Sequence, residues 1–104
     1  MMTINIQYVK MSTSEAMSSY ITKKLKKLED HYSWLIRADV FLKLENDSSE
    51  KGNICDIELS LPGAKVFATS NEKNYETAVK NTISDLDVQL KKRKANFTKQ
   101  RISS

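Results

Sequence analysis

Apolar side chains occupy alternate positions of Thr3–Val9, at Ile4, Ile6 and Tyr8. That is the period of a strand with one buried face, and it predicts a first strand there. The run Ser12-Thr13-Ser14-Glu15 fits a capping box, with the Ser12 hydroxyl accepting from the Glu15 amide and the Glu15 carboxylate returning to Ser12. A helix is expected to open at that point. Met17, Ile21, Leu25 and Leu28 follow at helical spacing with Tyr20 beside them, an apolar stripe that must face a core. At about 100° per residue, Lys23, Lys26 and Lys27 fall on the opposite side and Lys24 on the flank. Asp30 to Leu35 reads as the connection out of this helix.

Ile36 to Glu45 alternates cleanly. Ile36, Ala38, Val40, Leu42 and Leu44 share one face, and Arg37, Asp39, Phe41, Lys43 and Glu45 the other. Asn46 to Asn53 is polar and contains Gly52, which marks a loop. Asn53 to Leu61 alternates again, with Cys55, Ile57, Leu59 and Leu61 inward. Pro62-Gly63 then supplies the central pair of a type II turn. Ala64 to Ser70 makes a fourth strand, with Val66 and Ala68 inward and Phe67 outward. Ser70 or Asn71 is placed to cap a last helix, whose apolar positions Tyr75, Val79, Ile83, Leu86, Leu90 and Phe97 keep helical spacing. From Asn71 to Phe97 it would measure roughly 40 Å, longer than any of the strands, so its end should overhang the sheet.

The order βαβββα predicts an α+β fold. Each strand has one polar and one apolar face, so both helices should pack on one face of a four-stranded sheet, an arrangement like that of double-stranded RNA-binding domains. Residues 1–97 form one domain in this reading, and residues 98–104 a short basic tail expected to be flexible.

Charge changes the picture more than composition does. Lys23, Lys24, Lys26 and Lys27 form one cluster; Lys91, Lys92, Arg93, Lys94, Lys99 and Arg101 form another. These ten leave seven basic residues against thirteen acidic ones, about −6, in a chain whose net charge is +4. No acid follows Asp87, while Glu45, Asp47 and Glu50 gather near one loop. Such polarity suits an oriented encounter with a polyanion. A solvated helical face accounts for the charge alone equally well. The helix macrodipole favours a cation or two near a helix C-terminus, but not six.

Other chemistry is thinly represented. The sole His, His31, lies in the expected connection, and the sole Cys, Cys55, lies inward on a strand. A nucleophile–base pair, a disulfide and a zinc site all lack their residues. Asp56 and Glu58 share a strand face, which alternation on a solvated sheet explains. The acidic trio lacks the spacing and Gly of a calcium loop, and two Gly in the whole chain leave no phosphate-cradling loop. No enzyme activity, cofactor, metal or small-molecule substrate is expected. No apolar run exceeds three residues, as at Val40 to Leu42, against roughly 18 for a bilayer span. No signal-like N-terminus stands out, so a cytoplasmic location without membrane association is expected. Phe41, Phe67 and Trp34 could stack on bases; the plainer reading makes Phe41 and Phe67 a cross-strand pair and Trp34 a lid on the core.

Three segments together resemble one family. Leu25-Lys26-Lys27-Leu28-Glu29, the strand ending Val40-Phe41-Leu42-Lys43-Leu44-Glu45, and the block Tyr75-Glu76-Thr77-Ala78-Val79 through Leu86-Asp87-Val88-Gln89-Leu90-Lys91-Lys92 are similar to the ribosome hibernation-promoting factor and ribosome-associated inhibitor A family. The likeness runs over nearly the whole chain. It implies binding to the small ribosomal subunit between head and body, on rRNA where mRNA and tRNA anticodon ends pass, and silencing of translation in stationary phase or stress. By that analogy Lys23, Lys24, Lys26 and Lys27 on the first helix, and Lys91, Lys92, Arg93 and Lys94 on the second, would contact rRNA phosphates.

Two positions depart from the family pattern. Val88 stands where an Arg is usual, and Lys73 where an acid is usual. The chain stops soon after the second helix, so the resemblance is to the short hibernation factors, which in some bacteria act with a separate ribosome-dimerising protein. A monomer off the ribosome is expected. Two alternatives remain open from the residues: a general double-stranded RNA binder without ribosome specificity, and a small enzyme or metal protein of ferredoxin-like shape, disfavoured by the lone His and Cys.

Overall fold

The computed structural model describes residues 1–45 and 51–103, with side chains described as far as Ala95. Its elements are β1 (Thr3–Val9), α1 (Glu15–His31), β2 (Arg37–Leu44), β3 (Asn53–Leu61), β4 (Ala64–Glu72) and α2 (Tyr75–Ser103). The strands lie in sheet order β1-β2-β3-β4. β1 and β2 are parallel, joined by α1 as the crossover, and the remaining pairs are antiparallel.

The expected alternation holds through the sheet. Ala38, Val40 and Leu42 of β2, Cys55, Ile57 and Leu59 of β3, and Val66 and Ala68 of β4 are buried on one face. Ile21, Leu25 and Leu28 of α1, with Val79, Leu86 and Leu90 of α2, close the same core. Both helices therefore cover one face of the sheet. β1 and β4 run in the same direction and each is followed by a helix that returns, so α1 and α2 lie side by side with the same polarity. Thr82 is the buried polar exception in this core. Its hydroxyl lies 2.8 Å from the Ala78 carbonyl and 3.1 Å from that of Cys55, so burial leaves it satisfied.

Several boundaries differ from expectation. Ser14, not Ser12, caps α1: its hydroxyl accepts from the Met17 amide at 3.2 Å. The Tyr8 hydroxyl donates to the Ser14 carbonyl at 2.7 Å and also meets Ser18. A contact from β1 thus fixes the helix start two residues later than the capping-box motif suggests. α1 also continues through Asp30 and His31, ending where the Tyr32 amide donates to the Leu28 and Glu29 carbonyls. β4 runs on to Glu72, because Ser70, Asn71 and Glu72 pair with Cys55, Ile54 and Asn53. Asn74 then caps α2, accepting from the Thr77 amide at 2.8 Å, in place of Ser70 or Asn71. The backbone of α2 stays helical past Phe97 to Ser103.

Ile36 and Leu44, assigned inward, are 52% and 56% exposed; Leu44 is the last residue of β2, and Ile36 stands just before its first. The expected Asn46–Asn53 loop falls largely outside the described residues, as do Asp47 and Glu50 of the acidic trio. Where the chain re-enters the sheet, Glu45 donates to the Gly52 carbonyl at 2.8 Å. Gly52 has φ +146°, and a Cβ there would strike the Glu45 carbonyl. Gly63 has φ +76°, as the third position of a type II turn requires.

Candidate functional site

Helical spacing builds two polar rows that face each other. On α1, Lys24, Lys27 and His31 project from the side next to α2. On α2, Lys80, Ser84, Asp87, Lys91 and Lys94 recur at intervals of four, three, four and three, which is one face of a helix. Packing the helices side by side on the sheet sets these rows along a common seam.

The seam consists of two linked grooves. The first, of about 310 Å³, is lined by Lys24, Lys27, Leu28, His31, Lys80, Ile83, Ser84 and Asp87. The second, of about 390 Å³, is lined by His31, Tyr32, Asp87, Lys91 and Lys94. His31 and Asp87 belong to both. The cations of α1 and those of α2 are thereby neighbours along one continuous surface. A third recess, of about 660 Å³, lies along the outer flank of α1 and is lined by Ser18, Ser19, Thr22, Lys23, Lys26, Lys27 and Asp30. Lys27 stands on the ridge between this recess and the seam.

Two aromatic rings support the basic rows. The Tyr32 ring is buried, and its hydroxyl donates to Asp87 Oδ1 at 2.7 Å. Burial, reinforced by Asp87, pushes the Tyr32 phenol up to about 12, so it remains the donor throughout the physiological range. This bond ties the end of α1 to α2 and occupies one oxygen of the acid facing the seam. The Lys94 ammonium lies 5.8 Å from the Tyr32 ring centre, and the Lys24 ammonium 5.6 Å from that of Tyr20, both within range of a cation–π attraction. Trp34 meets Tyr32 edge to face at 5.8 Å and is half-buried against the core. It is a lid, as its plainer reading has it.

Of the eight lysines and arginines singled out in the sequence, Lys24 and Lys27 line the first groove of the seam, and Lys91 and Lys94 the second. Lys23 and Lys26 line the outer recess. Lys92 is exposed and Arg93 half-exposed, and neither lines these grooves. The sequence reading missed Lys80, His31 and Asp87. The interval from Lys80 through Lys94 is a helical periodicity in the sequence, separate from that of the apolar stripe.

The open sheet face is electrostatically different. Arg37 pairs with Asp39 at 2.9 Å, Lys43 with Asp56 at 2.8 Å and Lys65 with Glu58 at 3.1 Å. The Arg37 hydrogen bond holds the Asp39 carboxyl below its usual range, against a smaller opposing effect of burial. Phe41 and Phe67 share this face but are not the expected cross-strand pair. They lie on β2 and β4, with β3 between them, and their partners in register are Asp56 and Glu58.

The described residues also hold no group of three or more His, Cys, Asp and Glu that could bind a metal. Cys55 is buried, and desolvation pushes its thiol up to about 12, which keeps it out of thiolate chemistry.

Comparison with known proteins follows the same outline. The family described as Sigma 54 modulation protein / S30EA ribosomal protein matches residues 4–98. A ribosome hibernation promoting factor of Pseudomonas putida is 26% identical over 93 residues, covering 89% of this chain and 87% of its own. A ribosome hibernation promotion factor of Deinococcus radiodurans is 27% identical over 89 residues, covering 85% of this chain and 47% of its own. Among solved structures, a ribosomal subunit interface protein from Coxiella burnetii superposes with a TM-score of 0.81 at 22% identity, over 91% of this chain and 99% of that one. The N-terminal domain of Protein Y from Thermus thermophilus gives 0.75 at 24% identity, over 88% and 98%. The two structures share the fold.

Proposed function

The chain belongs to the Sigma 54 modulation protein / S30EA ribosomal protein family, and from that premise we propose that it is a ribosome hibernation factor. In this reading it binds the small ribosomal subunit in the channel for mRNA and tRNA and blocks translation during stationary phase or stress. The family is not one of enzymes, and the action is exclusion. A cytoplasmic location accompanies a ribosomal target; no helix among the described residues is long and apolar enough to cross a membrane.

The observation that carries this reading is one seam in which Lys24, Lys27 and Lys80 line one groove and Lys91 and Lys94 line the next. Cations so arranged can neutralise several phosphates at once and release their counterions. Lys23, Lys26, Lys92 and Arg93 extend the cationic surface to either side and are the further rRNA contacts of the proposal. The names of the Pseudomonas and Deinococcus relatives support the hibernation role, and the family description supports a ribosomal target. In this reading the protein is a monomer before it binds, and a separate ribosome-dimerising protein is its later partner. Residues 1–97 are the binding domain, and residues 98–104 its basic tail.

Sedimentation with purified small subunits tests the proposal. The protein should pellet at 50 mM salt, and with four or more phosphate contacts its affinity should fall about a hundredfold by 200 mM. Changing Lys91, Lys92, Arg93 and Lys94 together to Glu should abolish pelleting; undiminished pelleting of that variant would sink the proposal. An arbitrary RNA duplex in mass excess should fail to displace the wild-type protein. Full displacement would favour the alternative, a general double-stranded RNA binder, for which the two cation-lined recesses flanking α1 would be the structural basis.

A further inference from the structure

His31 is the one side chain in the seam whose charge is of a kind that changes between pH 5 and 8. It is the last residue of α1, it is exposed, and it lines both grooves at their junction. We propose that His31 is a phosphate-contacting residue of the seam, and that binding of an RNA backbone there takes up one proton onto its imidazole. This inference rests on the reading of the seam as an RNA site and adds to it a regulation, since acidification would strengthen binding.

From its own helix His31 faces Lys24 and Lys27, with Glu29 and Asp30 adjoining it in sequence and Glu29 already accepting from the Met2 amide. From α2 it faces Lys80, Asp87, Lys91 and Lys94. From the connection it meets the edge of the Tyr32 ring at 6.4 Å. Five ammonium groups thus line the same two grooves as His31. Asp87, the acid among them, already accepts the Tyr32 hydroxyl.

An RNA backbone laid along the seam brings one negative charge per phosphate. It offsets the charge of the lysines it meets and presents an anionic acceptor to a ring that, once protonated, donates from both nitrogens. The proton comes from solvent, and no bond other than the N–H is made or broken. Because bound phosphate stabilises the charged imidazole, linkage requires tighter binding at lower pH.

The test is a salt titration of binding to purified small ribosomal subunits, followed by sedimentation at pH 8.0 and pH 6.0. For the wild-type protein, affinity at fixed salt should rise by roughly 3- to 10-fold on acidification, one proton giving at most tenfold per pH unit. The slope of log K against log salt should steepen by about one, the value of one added phosphate contact. His31→Gln, a neutral replacement at an exposed position, should bind with the shallow slope at both pH values, and its residual pH dependence reports the ribosome's own titration. His31→Lys should bind with the steep slope at both. If the Gln variant keeps the full pH response, or the wild type binds with no change of slope, this inference falls and the ribosomal reading stands. If the wild type does not pellet at either pH at low salt, the ribosomal reading falls and takes the inference with it.

Discussion

The two faces of this molecule use their lysines and arginines in opposite ways. On the open sheet face, Arg37, Lys43 and Lys65 each stand beside an acid on the same or a neighbouring strand, and the face is close to neutral. On the helical face, none of Lys23, Lys26, Lys27, Lys80, Lys91 and Lys92 forms an ion pair with an acid among the described residues. Positive charge held side by side without local compensation raises the energy of the free protein through self-repulsion and is relieved by a polyanion. The lesson is that counting cations locates nothing; what matters is whether the fold has already given them partners.

That contrast can be broken most directly by equal changes on the two faces. Replacing Lys24, Lys27 and Lys80 by Gln should lower the salt slope of small-subunit binding by about three. Replacing Arg37, Lys43 and Lys65 by Gln removes the same net charge and should leave the slope unaltered. Equal losses from the two triple variants would show that net charge alone drives binding, and the distinction between faces would fail.

A smaller effect is expected from the one acid that faces the seam. Asp87→Asn keeps an acceptor for the Tyr32 hydroxyl while removing a negative charge beside Lys91 and Lys94. Binding should tighten by up to about fivefold, the scale of one exposed charge a few ångströms from a phosphate. Weaker binding would mean that Asp87 serves to orient the lysines rather than merely to oppose the ligand.

The smallest effect belongs to the sheet face and is one of stability. Asp39 is held below its usual range chiefly by Arg37. Its stabilisation is therefore present above the carboxylate's unfolded value and is lost as pH falls through the lower folded one. Arg37→Gln should lower the urea midpoint slightly at pH 7, and the difference from wild type should shrink as pH drops below the ordinary carboxylate range. A difference that grows on acidification would contradict the pairing.

The strands were legible because alternation is a two-residue signal that burial on one side enforces: Val40, Leu42, Ile57 and Leu59 were assigned inward and are fully buried. Element ends were less so. Ser12 and Ser14 offer the same hydroxyl, and it is Tyr8, reaching across from β1, that selects Ser14. Asn71 and Glu72 carry no strand signal of their own and are strand because Ile54 and Asn53 lie beside them. Phe41 and Phe67 looked like a pair because each alternates outward, but sheet order puts a strand between them.

The candidate site divides along the same line. The lysine clusters, their helices and the side of each helix opposite its apolar stripe were all determined by the chain itself, because helical periodicity is local. That Lys80, His31 and Asp87 join them was decided only by tertiary structure. A row of polar residues on one helix becomes a lined groove when a second helix of matching direction is laid beside it, and that placement follows from the parallel crossover of β1 onto β2 and the order of the sheet.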